Sequence, residues 1–470
     1  MRAPRYKKHS AQRTCAGLVL LAAVVFGVWK LALQIFALFS SDPQTIVENS
    51  VLKSKNFSAP VVEIISPKTK LKAYLLEDDT NPIISLNFSF KNAGYASDDV
   101  NEQGIAQMTA ALLTEGAGDL NGQALKEALE SLAIKISFAA GKDDFSGSML
   151  TTKANVKEAV KYLNLMLASP RFEEVDIKRV KAQMKEALKR QDEYPARALE
   201  LEFIKELYGE HPYGRNPLGK LQDIEKISAA DLRRFVKDNF SQNNLIIGIA
   251  GDLNAEEAAE FIDGVFANLP SNGQMNFVKE AEIDFDGRVR QIARDSGQNM
   301  VLKALPGVSR NHEDFYPLFV ANYIWGGAGL TSKLSQQLRE KEGLTYGVYS
   351  YLSIDDKSPL LVVAFSSTAD KFKRADALLN EQTKIFGQRG VSKVELENAK
   401  NYLIASYNLR FASIENIAEI LTAMQKYNLG LDFLQKRNDY IANISLEKVN
   451  EAAQRYFDDS RMISVEIGKF

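Results

Sequence analysis

IEKISAADLRRFVKDNFSQNNLIIGIAG at residues 224–251 and IANISLEKVNEAAQRYFDDSRMISVEIG at 441–468 are one structural phrase written twice. Ile227, Ser228, Phe240 and Gly251 correspond without a gap to Ile444, Ser445, Phe457 and Gly468, each pair 217 residues apart. In both copies a helical spacing of apolar residues runs into an apolar strand that ends on glycine. Upstream, Val175, Ile177 and Lys181 correspond to Val394, Leu396 and Lys400 at an offset of 219, so the repeat continues backwards across a two-residue gap. Two repeats of about 200 residues each follow from this. The stretch 270–287, with Ser271, Asn272, Gly273 and several acids, has the composition of a linker. Residues 60–268 and 290–470 therefore read as two homologous α+β domains of mixed α/β layers, joined by a linker at 269–289 and facing one another across a cleft.

Local patterning agrees. Ile84, Leu86, Phe88 and Phe90 alternate with Ser85, Asn87 and Ser89, as in a half-buried strand. Similar runs stand at 71–77, 134–140 and 144–151, while 102–114, 121–132, 155–168, 173–193, 196–208 and 229–239 carry apolar residues at helical spacing.

The chain has 470 residues, 45% of them apolar and 25% charged, the composition of a folded globular protein. The overall charge of -2 hides an asymmetry: six of the 58 Lys and Arg and none of the 60 acids lie in residues 1–40, which leaves -8 beyond them. That sign argues against nucleic acid as a partner. The one cysteine, Cys15, opens an apolar run from Ala16 to Phe39, behind Arg2, Arg5, Lys7, Lys8 and Arg13. As a helix this run spans about 36 Å, enough for a hydrocarbon core of about 30 Å. It reads as an uncleaved signal anchor or as a signal peptide. In either case the basic end stays in the cytoplasm and the chain beyond the 41–59 linker lies outside it, tethered to the inner membrane or released into the periplasm.

Three histidines, His9, His211 and His312, exclude a pair at i, i+4 on one helix, and with no cysteine beyond residue 15 there is no thiolate metal site in the globular part. Gly326, Gly327 and Gly329 match neither a phosphate loop nor a dinucleotide loop, and read locally as a flexible turn feeding a helix at about 331–341 that Gly343 ends. Arg339 lies in the last turn of that helix and Tyr346 opens the next strand. The arginine suits a helix C-terminus and the tyrosine suits packing; equally, a guanidinium and a phenol flanking a tight turn can stabilise one developing oxyanion. His211, in HPYGRNPLG (211–219), reads as part of a structural turn, and His312 stands alone in a polar loop. Glu186 lies on a charged helix among Lys185, Lys189, Arg190 and Asp192, a solvated face.

Over about residues 60–470 the chain resembles the M16 metallopeptidases, the pitrilysin and mitochondrial processing peptidase family. The likeness rests on GIAQMTAALLTEGAG (104–118), HPYGRNPLG, NLIIGIAGDL (244–253) and GGAGLTSKLSQQLREKEGLTYGVYS (326–350). It implies two LuxS-metallohydrolase-like halves forming half of a clam-shell chamber. Active members carry an inverted zinc motif, His-x-x-Glu-His, in which two imidazoles face one metal and the glutamate acts as base to the bound water. Here those places hold Gln107, Ala110 and Ala111, and Glu186 falls where the family has a downstream carboxylate ligand. The resemblance thus implies no metal or other cofactor in this chain and no peptidase activity from it alone.

The same resemblance identifies Arg339 and Tyr346 with a pair that supports the substrate backbone and the reacting carbonyl oxygen. It places Gly326, Gly327 and Gly329 where a zinc-less mitochondrial subunit has a substrate loop. It implies a non-catalytic, substrate-positioning subunit of a heterodimeric zinc endopeptidase, whose zinc-bearing homologue supplies metal, water and base for an unfolded peptide. The alternative is an inert scaffold or a peptide-binding protein of a membrane complex.

Overall fold

Both copies of the repeated phrase become a helix followed by a central strand. A computed structural model describes residues 60–470; the expected signal segment in 1–40 and the linker at 41–59 lie outside them. Among the described residues no helix is long and apolar enough to cross a membrane.

The first half contains β1 (Val61–Ile65), β2 (Lys72–Glu77), β3 (Ile83–Phe90), a short pair β4 (Gly116–Ala117) and β5 (Leu120–Asn121), then β6 (Lys135–Ala140), β7 (Phe145–Thr152) and β8 (Leu245–Gly251). Its main sheet runs β1-β2-β8-β3-β7-β6, with β2 and β8 parallel. The second half contains β9 (Val289–Ala293), β10 (Asn299–Pro306), β11 (Gly347–Ser353), β12 (Leu360–Ser367) and β13 (Ile463–Gly468). These run β11-β12-β10-β13-β9, with β9 and β13 parallel. From the parallel pair outwards, β2-β8-β3-β7-β6 and β9-β13-β10-β12-β11 have one topology, so the repeat is a repeat of structure.

The helices start where the sequence supplies caps. Ser228 Oγ accepts from the Asp231 amide while the Asp231 carboxylate accepts from the Ser228 amide at 2.8 Å. Its counterpart Ser445 accepts from the Lys448 amide at 3.2 Å. Such a cap stabilises a helix end by about 1 kcal/mol. The helix expected at 102–114 is shorter, Ile105–Leu112, because Gly104 before it takes a left-handed φ of 98°.

One expectation for β3 fails. Its residues are almost all buried rather than alternately exposed, because a helix from the other half covers its second face. The Ile414–Lys426 helix packs Ile417, Ala418, Leu421 and Met424 onto Val61, Tyr74, Leu76 and Ala250. A side chain at Gly248 would come within 2.3 Å of Ala418 O, so glycine is what lets this helix approach β8. Gln425 Oε1 accepts from the Ile247 amide at 2.8 Å, and Thr422 Oγ1 donates to Asn87 O at 3.1 Å. The exchange is reciprocal. The Pro195–Tyr208 helix lays Leu199, Phe203 and Leu207 on Ala304, Leu360, Val362 and Ile463 of the second sheet. Each half thus completes the core of the other.

The two hairpin turns between β6 and β7 and between β11 and β12 meet with opposite charge order, Lys142-Asp143-Asp144 against Asp355-Asp356-Lys357. Lys142 pairs with Asp355. The Asp356 amide donates to Asp143 Oδ2 at 3.0 Å, and the Lys357 amide to Tyr213 Oη at 2.9 Å. The expected linker has no helix or strand at 270–287, yet Val278, Ala281, Ile283 and Phe285 pack against the second sheet's exchanged helix cluster.

Candidate functional site

The Ile105–Leu112 helix packs against the Glu174–Gln191 helix, the Ala229–Asn239 helix and the edge strand β6. Its Gln107 Nε2 donates to Ala140 O at 2.8 Å, so the amide standing at the first imidazole position is tied to the end of β6. Ala110 is buried and Ala111 exposed; neither has a donor atom. Glu186 is exposed on the neighbouring helix, where it accepts from Arg190 Nε at 2.8 Å. The donor set does not fit a zinc ion: one amide already bonded, two methyl groups and one carboxylate paired with a guanidinium. No group of three or more His, Cys, Asp or Glu is placed to hold a metal among the described residues.

The start of this helix carries an unusual acid. Asp98 is 5% exposed, its Oδ2 accepts from the Gly104 amide at 2.8 Å, and its Oδ1 has no partner. Burial pushes its pKa up to about 8, partly offset by the Gly104 and Ala106 amides and by Arg215. The HPYGRNPLG loop braces the same segment. Arg215 Nη1 donates to Asp98 O at 2.7 Å, and His211 Nδ1 accepts from the Tyr213 amide at 3.2 Å, consistent with a structural turn.

In the second half the expected α-helix at 331–341 differs in its winding. A single turn of 3-10 helix at Gly329–Thr331 precedes a π-helical stretch, Ser335–Lys341, which carries Arg339. The wider turn keeps Leu334 and Leu338 in the core and leaves Arg339 partly exposed, its Nε 3.8 Å from Glu340 Oε1. Gly343 ends the stretch with φ 58°, as expected. Tyr346 is 65% exposed immediately before β11.

The glycines do not form one flexible turn as expected: Gly326 and Gly327 end a π-helical stretch, Tyr323–Gly327, in which Gly326 is buried, and only Gly329 sits in a turn beyond it. A side chain at Gly326 would fall 2.3 Å from Ser350 Oγ, which donates to Asn322 Oδ1. Gly329 has a left-handed φ of 59° in an open turn, and Gly327 is exposed.

Two residues escaped the sequence reading. Tyr349 and Tyr351 are both exposed on β11 and stack with centroids 6.3 Å apart. Their signal was aromatic alternation at i, i+2 just past Tyr346, but whether it faced solvent depended on β11 being an edge. The outer strands β6 and β11 are each an edge of its sheet, as β1 and β9 are at the other sides, and each adjoins a candidate position: Gln107 bonds the end of β6, and Tyr346 precedes β11. A polar cleft of about 320 Å³ lies between Asn87, Ser137 and Ser148 on the first sheet and Glu415 and Glu419 at the start of the exchanged helix.

Comparison with known proteins agrees with this geometry. The family model described as Insulinase (Peptidase family M16) matches residues 75–220, and that described as Peptidase M16 inactive domain matches 226–403. A Helicobacter pylori protein named non-peptidase homolog YmxG is 25% identical over 387 residues, 82% of this chain and 88% of that one. The crystal structure of a peptidase M16 inactive domain from Pseudomonas fluorescens superposes with a TM-score of 0.81 at 27% identity, covering 87% of this chain and 98% of that one. The Escherichia coli protein PqqL, described as a periplasmic protease, shares the fold with a TM-score of 0.74 at 17% identity, over 89% of this chain and 46% of its own.

Proposed function

Starting from the fact that the chain belongs to the M16 peptidase family, we propose that it is the non-catalytic, substrate-positioning subunit of a heterodimeric zinc endopeptidase acting on peptides or unfolded segments outside the cytoplasm. The observation that carries this reading is an asymmetry. The motif positions Gln107, Ala110 and Ala111 have lost every group needed to hold metal or move a proton, whereas Arg339 is partly and Tyr346 largely exposed beside the edge strand β11.

Edge strands suit an extended peptide, which adds as a strand through backbone hydrogen bonds and offers alternate side chains to pockets. The polar cleft beside β6 and the Tyr349–Tyr351 stack beside β11 would receive such side chains. A zinc-bearing homologue would supply the metal, the water and the general base. From this chain, the Arg339 guanidinium and the Tyr346 hydroxyl would donate to the carbonyl oxygen as it gains negative charge, and the exposed Gly327 and Gly329, beside the buried Gly326, would let the adjoining turn yield to the peptide. The N-terminal apolar segment supports placement at the inner membrane with the globular part in the periplasm, and the likeness in fold to a protease described as periplasmic is in keeping with it.

The test is to purify the full chain with and without a zinc-bearing M16 homologue of the same organism and to follow cleavage of a quenched, unstructured peptide together with zinc content. Activity confined to the mixture, with zinc confined to the partner, is expected. Arg339→Ala should lower turnover by about 100-fold with the complex intact. Stoichiometric zinc and cleavage by this chain alone would refute the reading, and absence of any complex would favour the inert scaffold.

A further inference from the structure

Arg437 is only 8% exposed, yet among the described residues no carboxylate pairs with it. Its Nη1 donates to Leu403 O at 2.8 Å and to Asn438 Oδ1 at 3.0 Å, and its guanidinium lies 4.1 Å from the centroid of the Tyr407 ring. Buried arginines are ordinarily paired, because an uncompensated charge away from water is costly. Burial lowers its pKa to about 10, and Arg410 and Arg310 act in the same direction.

The other two guanidiniums arrive from separate segments. On the Phe433–Ala442 helix, Phe433, Arg437 and Tyr440 share one face by their spacing of four and three residues. Arg310 reaches that face from the loop before Phe315: it lies 5.4 Å from the Phe433 ring and 4.2 Å from the Phe315 ring, and its Nη2 donates to Tyr316 Oη at 3.0 Å. The Tyr316 ring in turn lies 5.4 Å from that of Tyr440. Arg410 is exposed in the 3-10 turn Asn408–Phe411, three residues beyond Tyr407.

Of the nearby acids, Asp432 pairs with Lys436 and Asp314 with Arg455 and Tyr456, and the exposed Glu313 and Asp439 form no ion pair with the three arginines. Arg310 and Arg437 thus stand on either side of Tyr316 and Tyr407, Arg410 lies in the adjoining turn near enough to oppose the charge of Arg437, and none of the three is ion-paired among the described residues.

We propose that Arg310, Arg410 and Arg437 form an oxyanion site that takes a phosphate group. A carboxylate offers one planar edge and satisfies one guanidinium fork, whereas a tetrahedral phosphate presents several charged oxygens to guanidiniums arriving from several directions. The site uses none of the elements that carry Gln107, Arg339 or Tyr346, so it is independent of peptide handling. Its phosphate can come from solution or from a lipid headgroup of the membrane that the N-terminal apolar segment would enter.

Thermal unfolding of the full chain in detergent, with inorganic phosphate titrated at constant ionic strength, reads occupancy through mass action. Tm should rise saturably, and Arg410→Gln at an exposed position and Arg310→Gln at a partly buried one should each weaken the apparent affinity about tenfold. Arg437→Gln serves as a third variant where it folds. The same measurement in phosphatidylcholine nanodiscs, with and without phosphatidic acid, separates the two sources. Stabilisation by phosphatidic acid that inorganic phosphate does not reproduce assigns the headgroup, and equal saturation by inorganic phosphate in detergent and in phosphatidylcholine assigns the soluble ligand. A Tm indifferent to both probes, or shifts retained in full by Arg310→Gln and Arg410→Gln, overturns the site.

Discussion

Lys426 Nζ stands 2.7 Å from Asp144 Oδ2 and 3.1 Å from Asp356 Oδ1, so one ammonium ties the end of the exchanged helix to the hairpin turns of both halves. The lysine and Asp144 side chains are 19% and 12% exposed, which sets the pair apart from the many surface ion pairs of this chain. Burial alone would lower the lysine pKa; the two aspartates outweigh it and hold it above its ordinary value.

Replacing Lys426 by Met should therefore cost about 2 kcal/mol of unfolding free energy, most of it from leaving the half-buried Asp144 and the more exposed Asp356 carboxylates without their shared cation. The double variant Lys426→Met, Asp144→Asn should recover part of that loss. Urea unfolding of the four proteins of the cycle measures the coupling, and strictly additive losses would mean that the contact contributes nothing.

Leu421 is fully buried between the exchanged helix and the first sheet. Leu421→Ala should cost about 2–5 kcal/mol by lost burial and the cavity left behind. Because that helix belongs to the second half by sequence, calorimetry should show both halves losing stability in one transition. A separate early transition of the first half alone would mean that the exchange does not couple them.

Asp98 binds its proton more tightly folded than unfolded, its pKa standing near 8 instead of 3.8. The sign follows directly: between those values the unfolded chain holds less proton than the folded one, so stability falls as pH rises from about 4 to about 8, by up to about 1.4 kcal/mol per unit. Asp98→Asn keeps an acceptor for the Gly104 amide and removes the titration. Its stability should depend less steeply on pH across that window, by denaturant midpoints; parallel slopes for the two proteins would exclude the assignment.

Gln107→His with Ala110→Glu and Ala111→His rebuilds the inverted zinc motif on the Ile105–Leu112 helix. Ala111 is exposed and accepts an imidazole freely, whereas Ala110 is buried and the glutamate should cost about 1–3 kcal/mol by crowding. After dialysis the triple variant should retain about one zinc per chain and the parent none, by elemental analysis. The variant with only the two histidines separates metal binding from the strain at Ala110. Zinc held by the parent would show that other donors assemble there.

The repeat made much of the fold legible. A gapless match of 28 residues predicts two sheets of one topology, and the helix expected at 229–239 is observed as Ala229–Asn239. The loss of donors at Gln107, Ala110 and Ala111 was equally plain, because metal chemistry depends on residue type before it depends on position. Tyr349 and Tyr351, the Arg310–Arg410–Arg437 cluster and the buried Asp98 were not legible, since each is defined by which neighbours are missing as much as by which are present.

What the sequence by itself determined is therefore what hydrophobic period, capping residues and donor chemistry encode locally: the strands, the helices, their repetition and the absence of a zinc motif. What only the tertiary structure decided is which sheet each helix covers. Pro195–Tyr208 and Ile414–Lys426 have apolar faces that fit a sheet of either half, and periodicity cannot distinguish them. The choice rests on contacts between residues more than 100 positions apart, such as Gln425 with Ile247 and Lys426 with Asp144. Such contacts form only once the backbone is folded, because Gly248 must admit the helix and the two charged turns must meet.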